Sequence, residues 1–245
     1  MQTTFGLVNL WEQGDAVTRL VVVLLLMMSL ASWTVIAVKA IGVLRVKRLA
    51  SRAESFWHST DLAQGLVNLG PTRDNPFRSL AEEGRDATAH HSNTRAQLHD
   101  TLDISDWVTR CLRNAVDDNV ARLQSGLAVL ASVGSTAPFV GLFGTVWGIY
   151  HALMGISASG QASIDKVSGP IGEALIMTAL GLAVAIPAVL GYNALVRGNK
   201  SVVGKLNRFA HDLHAYFVTG ARVKMAGGGL GAPSPSPSLS PSASA

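Results

Sequence analysis

Cysteine is almost absent from this chain, which has one, Cys111, among its 245 residues. A single cysteine cannot form an intrachain disulfide, so the fold is not that of a small secreted domain held together by disulfides. No motif of a catalytic or metal-binding thiol surrounds Cys111. We interpret it as a small packing residue on a helix.

Charged side chains are also scarce. They make up 15% of the residues, against roughly 25% in ordinary soluble domains. The net charge is +4, and the basic residues cluster beside long apolar blocks rather than in a patch of their own. This placement is typical of membrane orientation signals and argues against nucleic-acid binding.

Motifs of enzymes are missing as well. The sequence has no phosphate-binding loop, no nucleophile elbow and no metalloprotease helix, so it predicts neither an enzyme nor a cofactor. His90, His91 and His99 are a possible metal cluster. Their spacing matches no strong site, and a solvated helix face is the better interpretation.

Three apolar blocks are present, and they predict membrane-spanning helices over 20–38, 127–156 and 171–196. No basic n-region of a signal peptide precedes the first block, so we expect this block to remain as an anchor in the lipid bilayer. Cations follow the first and third blocks, beginning at Lys39 and Arg197. The positive-inside rule makes those ends cytoplasmic, with a periplasmic N-terminus and a cytoplasmic C-terminus.

The segments between the spans complete an all-α, polytopic architecture in which long cytoplasmic helices extend the membrane helices. We predict an outer N-terminal segment over 1–19, a helical cytoplasmic loop over 39–126, a short periplasmic loop over 157–170, a cytoplasmic helix over 197–225 and a disordered tail over 226–245.

The cytoplasmic loop has internal signals of its own. Gly70-Pro71 and Asn75-Pro76 predict turns, with a helix before them and further helices after them. Apolar residues then recur at steps of three or four from Ile104 to Leu127, which indicates one face of an α-helix. We expect this helix to run straight into the second span.

One carboxylate, Glu173, lies inside the third span, where a charge is costly and usually faces protein or water. It precedes Arg197 by 24 residues, or roughly 36 Å of helix, which is longer than a hydrocarbon core of roughly 30 Å. Glu173 is therefore expected close to the outer boundary. An interfacial carboxylate and a residue of an ion pathway both stay open.

Two threonines lie at a matched depth in antiparallel spans. Thr178 precedes Arg197 by 19 residues and Thr145 follows Leu127 by 18, which is about 28 and 27 Å of helix. Hydroxyls at one level can line a hydrated path and pass protons. The alternative is that each bonds the i−4 carbonyl of its own helix. Glu173 lies about 140° around the helix from Thr178, so the two do not face one narrow axis.

Prolines and glycines shape the two later spans. Pro138 and Pro187 each free a backbone carbonyl and permit a kink. Gly144 and Gly148 form a small-xxx-small pair, which lets helices approach closely in lipid.

Two stretches resemble signatures of the MotA/TolQ/ExbB proton-channel family: Ala137–Ile149 its second span and Gly169–Asn193 its third. The three-span layout resembles the ExbB and TolQ branches and differs from MotA, which has four spans. By this resemblance Thr145 and Thr178 match the family's pore-facing threonines, and Glu173 matches its third-span glutamate.

The resemblance also covers Pro138 and Pro187, which match the family's span prolines, and it is nearer to the ExbB branch. It implies a bacterial inner-membrane homopentamer around the spanning helices of an ExbD-like dimer, whose intramembrane Asp is the proton carrier. Such a complex uses the proton motive force to energise a TonB-like protein for outer-membrane uptake of iron-siderophores and vitamin B12. A TolQ-type subunit of the Tol-Pal system and a passive membrane scaffold are the alternatives.

Overall fold

The computed structural model describes residues 15–71, 75–93, 103–159 and 164–220, and nearly all of them are helical. Within these ranges the helices are α1 Ala16–Phe56, α2 Leu62–Leu69, α3 Pro76–Asn93, α4 Ile104–Gln124, α5 Leu127–Ser159 and α6 Ile164–Thr219. Three helical stretches, in α1, α5 and α6, are long and apolar enough to cross a membrane. The chain is therefore an all-α membrane protein with three candidate spans, as the apolar blocks predict.

The predicted turns of the loop are confirmed by the bounds of the short helices. Asp61 begins α2 by accepting a hydrogen bond from the backbone N–H of Gln64 at 2.7 Å, the ordinary role of an N-cap carboxylate. Gly70 ends α2 with a φ of 90°. Asn75 then precedes α3, and its side-chain oxygen accepts from the N–H groups of Phe77 and Arg78.

Two of the expected boundaries differ in the structure. The helix ending at Gln124 does not run straight into the second span, because Ser125 and Gly126 separate α4 from α5 and Gly126 has a φ of 79°. Glycine adopts this left-handed conformation without the steric cost that other residues carry. The predicted loop over 157–170 is also partly helical, since α5 ends at Ser159 and α6 begins at Ile164.

The third span and the helix that follows it are one element. α6 runs from Ile164 to Thr219 without a break. At the predicted boundary at 196/197 the side chains change from apolar to charged, while the backbone remains helical. Residues 1–14 of the predicted outer segment and the predicted tail over 226–245 lie outside the described residues.

The helices enclose two hydrophobic cores. One joins the three spans and is built from small and aliphatic side chains: Val21, Leu25, Val133, Ala137, Met177, Ala185 and Ala188. The other lies in the extramembrane bundle, which we define as α2, α3, α4 and the ends of α1 and α6 that pack on them. Phe209 lies at its centre, with ring contacts to Phe56, Trp57 and Phe77.

The apolar stripe of α4 faces this second core, as predicted. Val108, Leu112 and Val116 are buried, while the polar residues between them point outward. The spans show the opposite pattern, with large apolar side chains such as Leu26, Phe139 and Leu190 exposed. Such surfaces suit lipid or another membrane helix, and they are unusual for a soluble monomer.

Candidate functional site: a threonine pair between α5 and α6

A crossing of two glycines brings α5 and α6 together. A Cβ atom added to Gly181 would lie 2.7 Å from the carbonyl oxygen of Ala137 and 3.0 Å from the Cα of Gly141. A Cβ on Gly141 would lie 2.6 Å from the carbonyl oxygen of Met177. The backbones therefore touch at a distance that only glycine permits, as is common between membrane helices.

The crossing places the two predicted threonines against each other. The Oγ1 atoms of Thr145 and Thr178 lie 2.5 Å apart. Thr145 Oγ1 also lies 3.1 Å from the carbonyl oxygen of Gly141 and 3.0 Å from that of Ala174. The matched depth predicted from residue counting is confirmed, and the i−4 bond to Gly141 shows that the alternative reading of Thr145 was also partly right.

The hydrogen-bond arrangement follows from counting protons. Each hydroxyl has one proton to donate and can accept more than one bond. Thr145 can donate to only one of its neighbours, so a second bond at its oxygen requires Thr178 to donate to it. Ala174 is the i−4 residue of Thr178, and its carbonyl competes with that of Gly141 for the single proton of Thr145. The result is an interhelical cluster of two hydroxyls and two carbonyls, in which Thr145 is 7% exposed.

Glu173 lies beside this cluster but not in it. The residue is half-buried, and no side chain in the described part of the chain hydrogen-bonds or ion-pairs with it. Its neighbour Ala174 packs on Gly148, where an added Cβ would lie 2.9 Å from the Ala174 Cβ. Thr178 follows Glu173 by about 7.5 Å of helix.

A pair of titratable groups marks the level just beyond Glu173. His151, three residues after Gly148, has its Nε2 atom 3.8 Å from the Asp15 carboxylate that caps α1. Glu173 thus lies toward the end of the helix bundle where α1 begins.

The predicted shaping residues lie where α5 and α6 pack. Gly144 is buried, and a Cβ there would lie 3.1 Å from Val21 and 3.2 Å from Met177. Pro138 and Pro187 lie inside α5 and α6. The missing N–H of Pro138 leaves the Gly134 carbonyl without its usual helical donor.

Sequence reasoning did not single out Gly181, although a signal for it existed. Gly141 lies four residues before Thr145 and Gly181 three residues after Thr178. Once the threonines are matched in depth, these glycines fall at one level too. The role of the Ala174 carbonyl had no such signal, because every residue has a carbonyl group.

A second polar junction, also not anticipated, lies at the other end of the spans. Lys39 of α1 donates from Nζ to the Arg122 carbonyl at 2.9 Å and to Ser125 Oγ at 2.8 Å. Asn199 of α6 donates from Nδ2 to the Leu123 carbonyl at 2.9 Å. Carbonyls at a helix C-terminus lack intrahelical donors, so these two side chains satisfy the end of α4. We call this the α4–α5 junction.

The remaining chemical candidates do not gather into a site. In the part of the chain that the structure describes, no three His, Cys, Asp or Glu side chains are grouped as metal ligands. His90 stacks on Trp107 with ring centroids 6.0 Å apart, and His99 lies outside the described residues. On the polar helix α4, burial and the charge of Glu83 raise the pKa of Cys111, so its thiol is less reactive than an exposed one.

Three candidate spans, with a glycine crossing and a hydroxyl pair between α5 and α6, define a polytopic membrane protein whose polar groups meet inside the helix bundle. The chain belongs to the MotA/TolQ/ExbB proton channel family, whose sequence profile matches residues 79–208. It is therefore a membrane subunit of the proton-channel type.

Relatives named after two branches of this family are similar over most of the chain. The biopolymer transport protein ExbB of Xanthomonas campestris pv. campestris is 46% identical, over 86% of this chain and 86% of its own. The ExbB protein of Neisseria meningitidis is 42% identical, over 83% and 93%. The Tol-Pal system protein TolQ of Pseudomonas aeruginosa is 34% identical, over 84% and 90%.

Proposed function

We propose that this chain is an ExbB-type subunit of a bacterial inner-membrane motor. Five copies surround the spanning helices of an ExbD-like dimer, and the complex uses the proton motive force to energise a TonB-like protein. That protein in turn drives outer-membrane uptake of iron-siderophores and vitamin B12. The N-terminus is periplasmic and the C-terminus cytoplasmic, with Thr145, Thr178 and Glu173 along the proton pathway.

The observation that carries this proposal is the part-buried hydroxyl pair of Thr145 and Thr178. Hydroxyl oxygens both donate and accept, so they can solvate a proton carrier without holding a charge of their own. A carboxylate or ammonium in the same place would compete for the proton and be costly to bury. The pair therefore suits the wall of a path whose titrating Asp belongs to the partner.

The energy available matches such a role. One charge that crosses a potential of 100 mV releases about 2.3 kcal/mol, several times the thermal energy. A partner helix whose Asp is neutral in one position and ionised in another can be moved in one direction by that energy. The exposed apolar faces of the spans support assembly around such a helix.

The branch within the family is favoured by identity. The ExbB proteins of Xanthomonas campestris and Neisseria meningitidis are 46% and 42% identical to this chain, and the TolQ protein of Pseudomonas aeruginosa is 34% identical over a similar length. A TolQ-type subunit of the Tol-Pal envelope system is the second candidate, because that relative also spans most of the chain.

The test is Thr145→Val, which keeps the side-chain shape and removes the hydroxyl. Thr136→Val is the matched control, because Thr136 lies on the same helix and bonds only its own Ser132 carbonyl. We expect Thr145→Val to abolish growth on iron-siderophores in a strain that depends on this chain and its partners. Thr136→Val should leave growth unchanged, and both variants should assemble normally by co-purification.

Two results would contradict the proposal or redirect it. Normal uptake by Thr145→Val, Thr178→Val and Glu173→Ala, each with intact complexes, would exclude a role of these residues in transport and favour the passive scaffold. Rescue of detergent sensitivity rather than siderophore uptake by the unaltered chain would assign it to the Tol-Pal system.

A further inference from the structure

A groove opens at the side of the molecule where α1 leaves its apolar stretch. It has a volume of about 900 Å³ and lies between α1, the start of α3 and the end of α4. Five of its lining residues are cations: Lys39, Arg45, Arg48, Arg52 and Arg122. Among the described residues, no Asp or Glu lines it. We call it the basic groove.

Four of these cations have no charged partner within the part of the chain that the structure describes. In the described residues, the guanidinium groups of Arg45, Arg48, Arg52 and Arg122 make no hydrogen bond or ion pair with another side chain. Arg78, near the same groove, is in contrast paired with Glu82 at 2.8 Å. Like charges that line one groove repel each other, and a bound anion would relieve that repulsion.

The polarity of the groove changes along α1. At the end of the groove nearest the apolar stretch of α1, Val38 and Ile41 are exposed, with 62% and 50% of their surface accessible. The cations Arg45, Arg48 and Arg52 follow along α1, and the start of α3 and the end of α4 add to the lining the polar side chains of Asn75, Ser79 and Asn119. An apolar rim followed by positive charge is the order in which a phospholipid presents its acyl chains and its phosphate.

The depth of the cations selects those that can reach a phosphate. Arg45 and Arg48 follow Lys39 by about 9 and 14 Å of helix, and their long side chains can extend back toward the membrane. Arg122 lies at the level of Lys39, whose ammonium contacts its carbonyl. Arg52 follows Lys39 by about 20 Å, which is beyond the headgroup layer.

We propose that the basic groove binds the phosphate of an anionic phospholipid through Arg45, Arg48 and Arg122. The guanidinium fork matches two phosphate oxygens at once and is weakly hydrated, so it suits this contact better than a lysine does. The site differs from the general attraction between juxtamembrane cations and a negative membrane, which gives each cation a similar weight wherever it lies.

Lys47 provides a control for that general attraction. It lies on the same turn of α1 as Arg45 and Arg48 and is exposed, but it does not line the groove. The full-length protein, purified in mild detergent and stripped of lipid, is titrated with phosphatidylglycerol or phosphatidylcholine, and the bound lipid is counted by native mass spectrometry. We expect saturable binding of phosphatidylglycerol, with an affinity lowered about tenfold or more in Arg45→Gln/Arg48→Gln.

The controls make the result decisive. Lys47→Gln should bind as the wild type does, and Arg45→Lys/Arg48→Lys should keep part of the affinity, since it keeps the charge. If the double glutamine variant loses its helical circular dichroism, Arg122→Gln replaces it in the same titration. Equal binding of phosphatidylcholine, or an equal loss in Lys47→Gln, would overturn the proposal. Displacement of the lipid by millimolar inorganic phosphate would show a site for free anions instead.

Discussion

At the scale of single residues, the hydrogen bond between Thr145 and Thr178 can be separated into its stabilising and its functional parts. Hydrogen bonds between membrane helices contribute about 0.6 kcal/mol on average and up to about 1.7 kcal/mol. We expect a double-mutant cycle of Thr145→Val and Thr178→Val, measured by unfolding in mixed micelles, to give a coupling energy in this range. A coupling energy near zero would mean that the hydroxyls do not meet in the folded protein.

The glycine crossing gives a second prediction at this scale. In Gly181→Ala the new methyl group would lie 2.7 Å from the Ala137 carbonyl oxygen, and a backbone atom cannot turn aside as a side chain can. Overpacking of this kind costs about 1–3 kcal/mol, and the helices should separate enough to break the threonine contact. Both the unfolding free energy and siderophore uptake should fall.

Gly155→Ala is the matched control for this change. Gly155 lies on α5, and nothing lies within 4 Å of a Cβ built there. Alanine is also favoured over glycine in a helix by about 0.8–1.0 kcal/mol. The variant should be as stable as the wild type or more so. Equal effects of the two substitutions would argue against the close crossing.

At the scale of elements, the α4–α5 junction depends on Lys39. Lys39→Met keeps the apolar stem but removes the donor to the Arg122 carbonyl and Ser125 Oγ. A hydrogen bond of a charged group contributes about 1.5–3 kcal/mol to stability. We expect faster hydrogen exchange in the last turn of α4 and little change in the middle of α5. Lys47→Met, an exposed lysine on the same helix, should leave exchange in α4 unaltered.

The elements also show what the sequence can and cannot predict. The spans and the buried face of α4 follow from hydrophobic periodicity, which depends on local chemistry alone. The end of a helix depends on other things as well. Hydropathy falls at Arg197, yet α6 continues, because Leu206 and Phe209 beyond it pack in the core of the extramembrane bundle. At the break before Gly126, the end of α4 is satisfied by the ammonium group of Lys39 on α1. The local sequence around Gly126 does not contain this donor.

The candidate site was likewise predictable from the sequence only in part. The depth of Thr145 and Thr178 was predictable because helix rise is fixed. The rotation that turns them toward each other was not, since it is set by the glycine crossing and therefore by tertiary packing. The position of Glu173 near the outer boundary stays a prediction from counting, and the absence of a side-chain partner for it among the described residues could only be seen in three dimensions.

At the scale of the whole molecule, the orientation in the membrane can be read with single cysteines, because Cys111 is the one native thiol. In a Cys111→Ala background, Ser157→Cys and Ser201→Cys place exposed thiols beyond opposite ends of the spans. We expect an impermeant maleimide to label Cys at position 157 in intact spheroplasts and Cys at position 201 only after lysis. The reverse pattern would invert the topology.

The unaltered chain supplies an internal check for this experiment. Burial and Glu83 raise the pKa of Cys111, so less of it is thiolate at neutral pH than for a free cysteine. Its labelling after lysis should therefore be slow at neutral pH and should accelerate as the pH rises. Fast labelling at neutral pH would contradict the partly buried position of this thiol near Glu83 of α3.

The continuity of α6 has a mechanical consequence. Its 56 residues form a rod about 84 Å long, which joins the threonine level in the membrane to the far end of the extramembrane bundle. From Thr178 to Thr219 the distance along the axis is about 62 Å. A tilt of about 5° at the threonines would move the distal end of this lever by about 5 Å. A small reorientation of α6 beside Thr178 therefore becomes a displacement about as wide as a side chain at the far end of the extramembrane bundle.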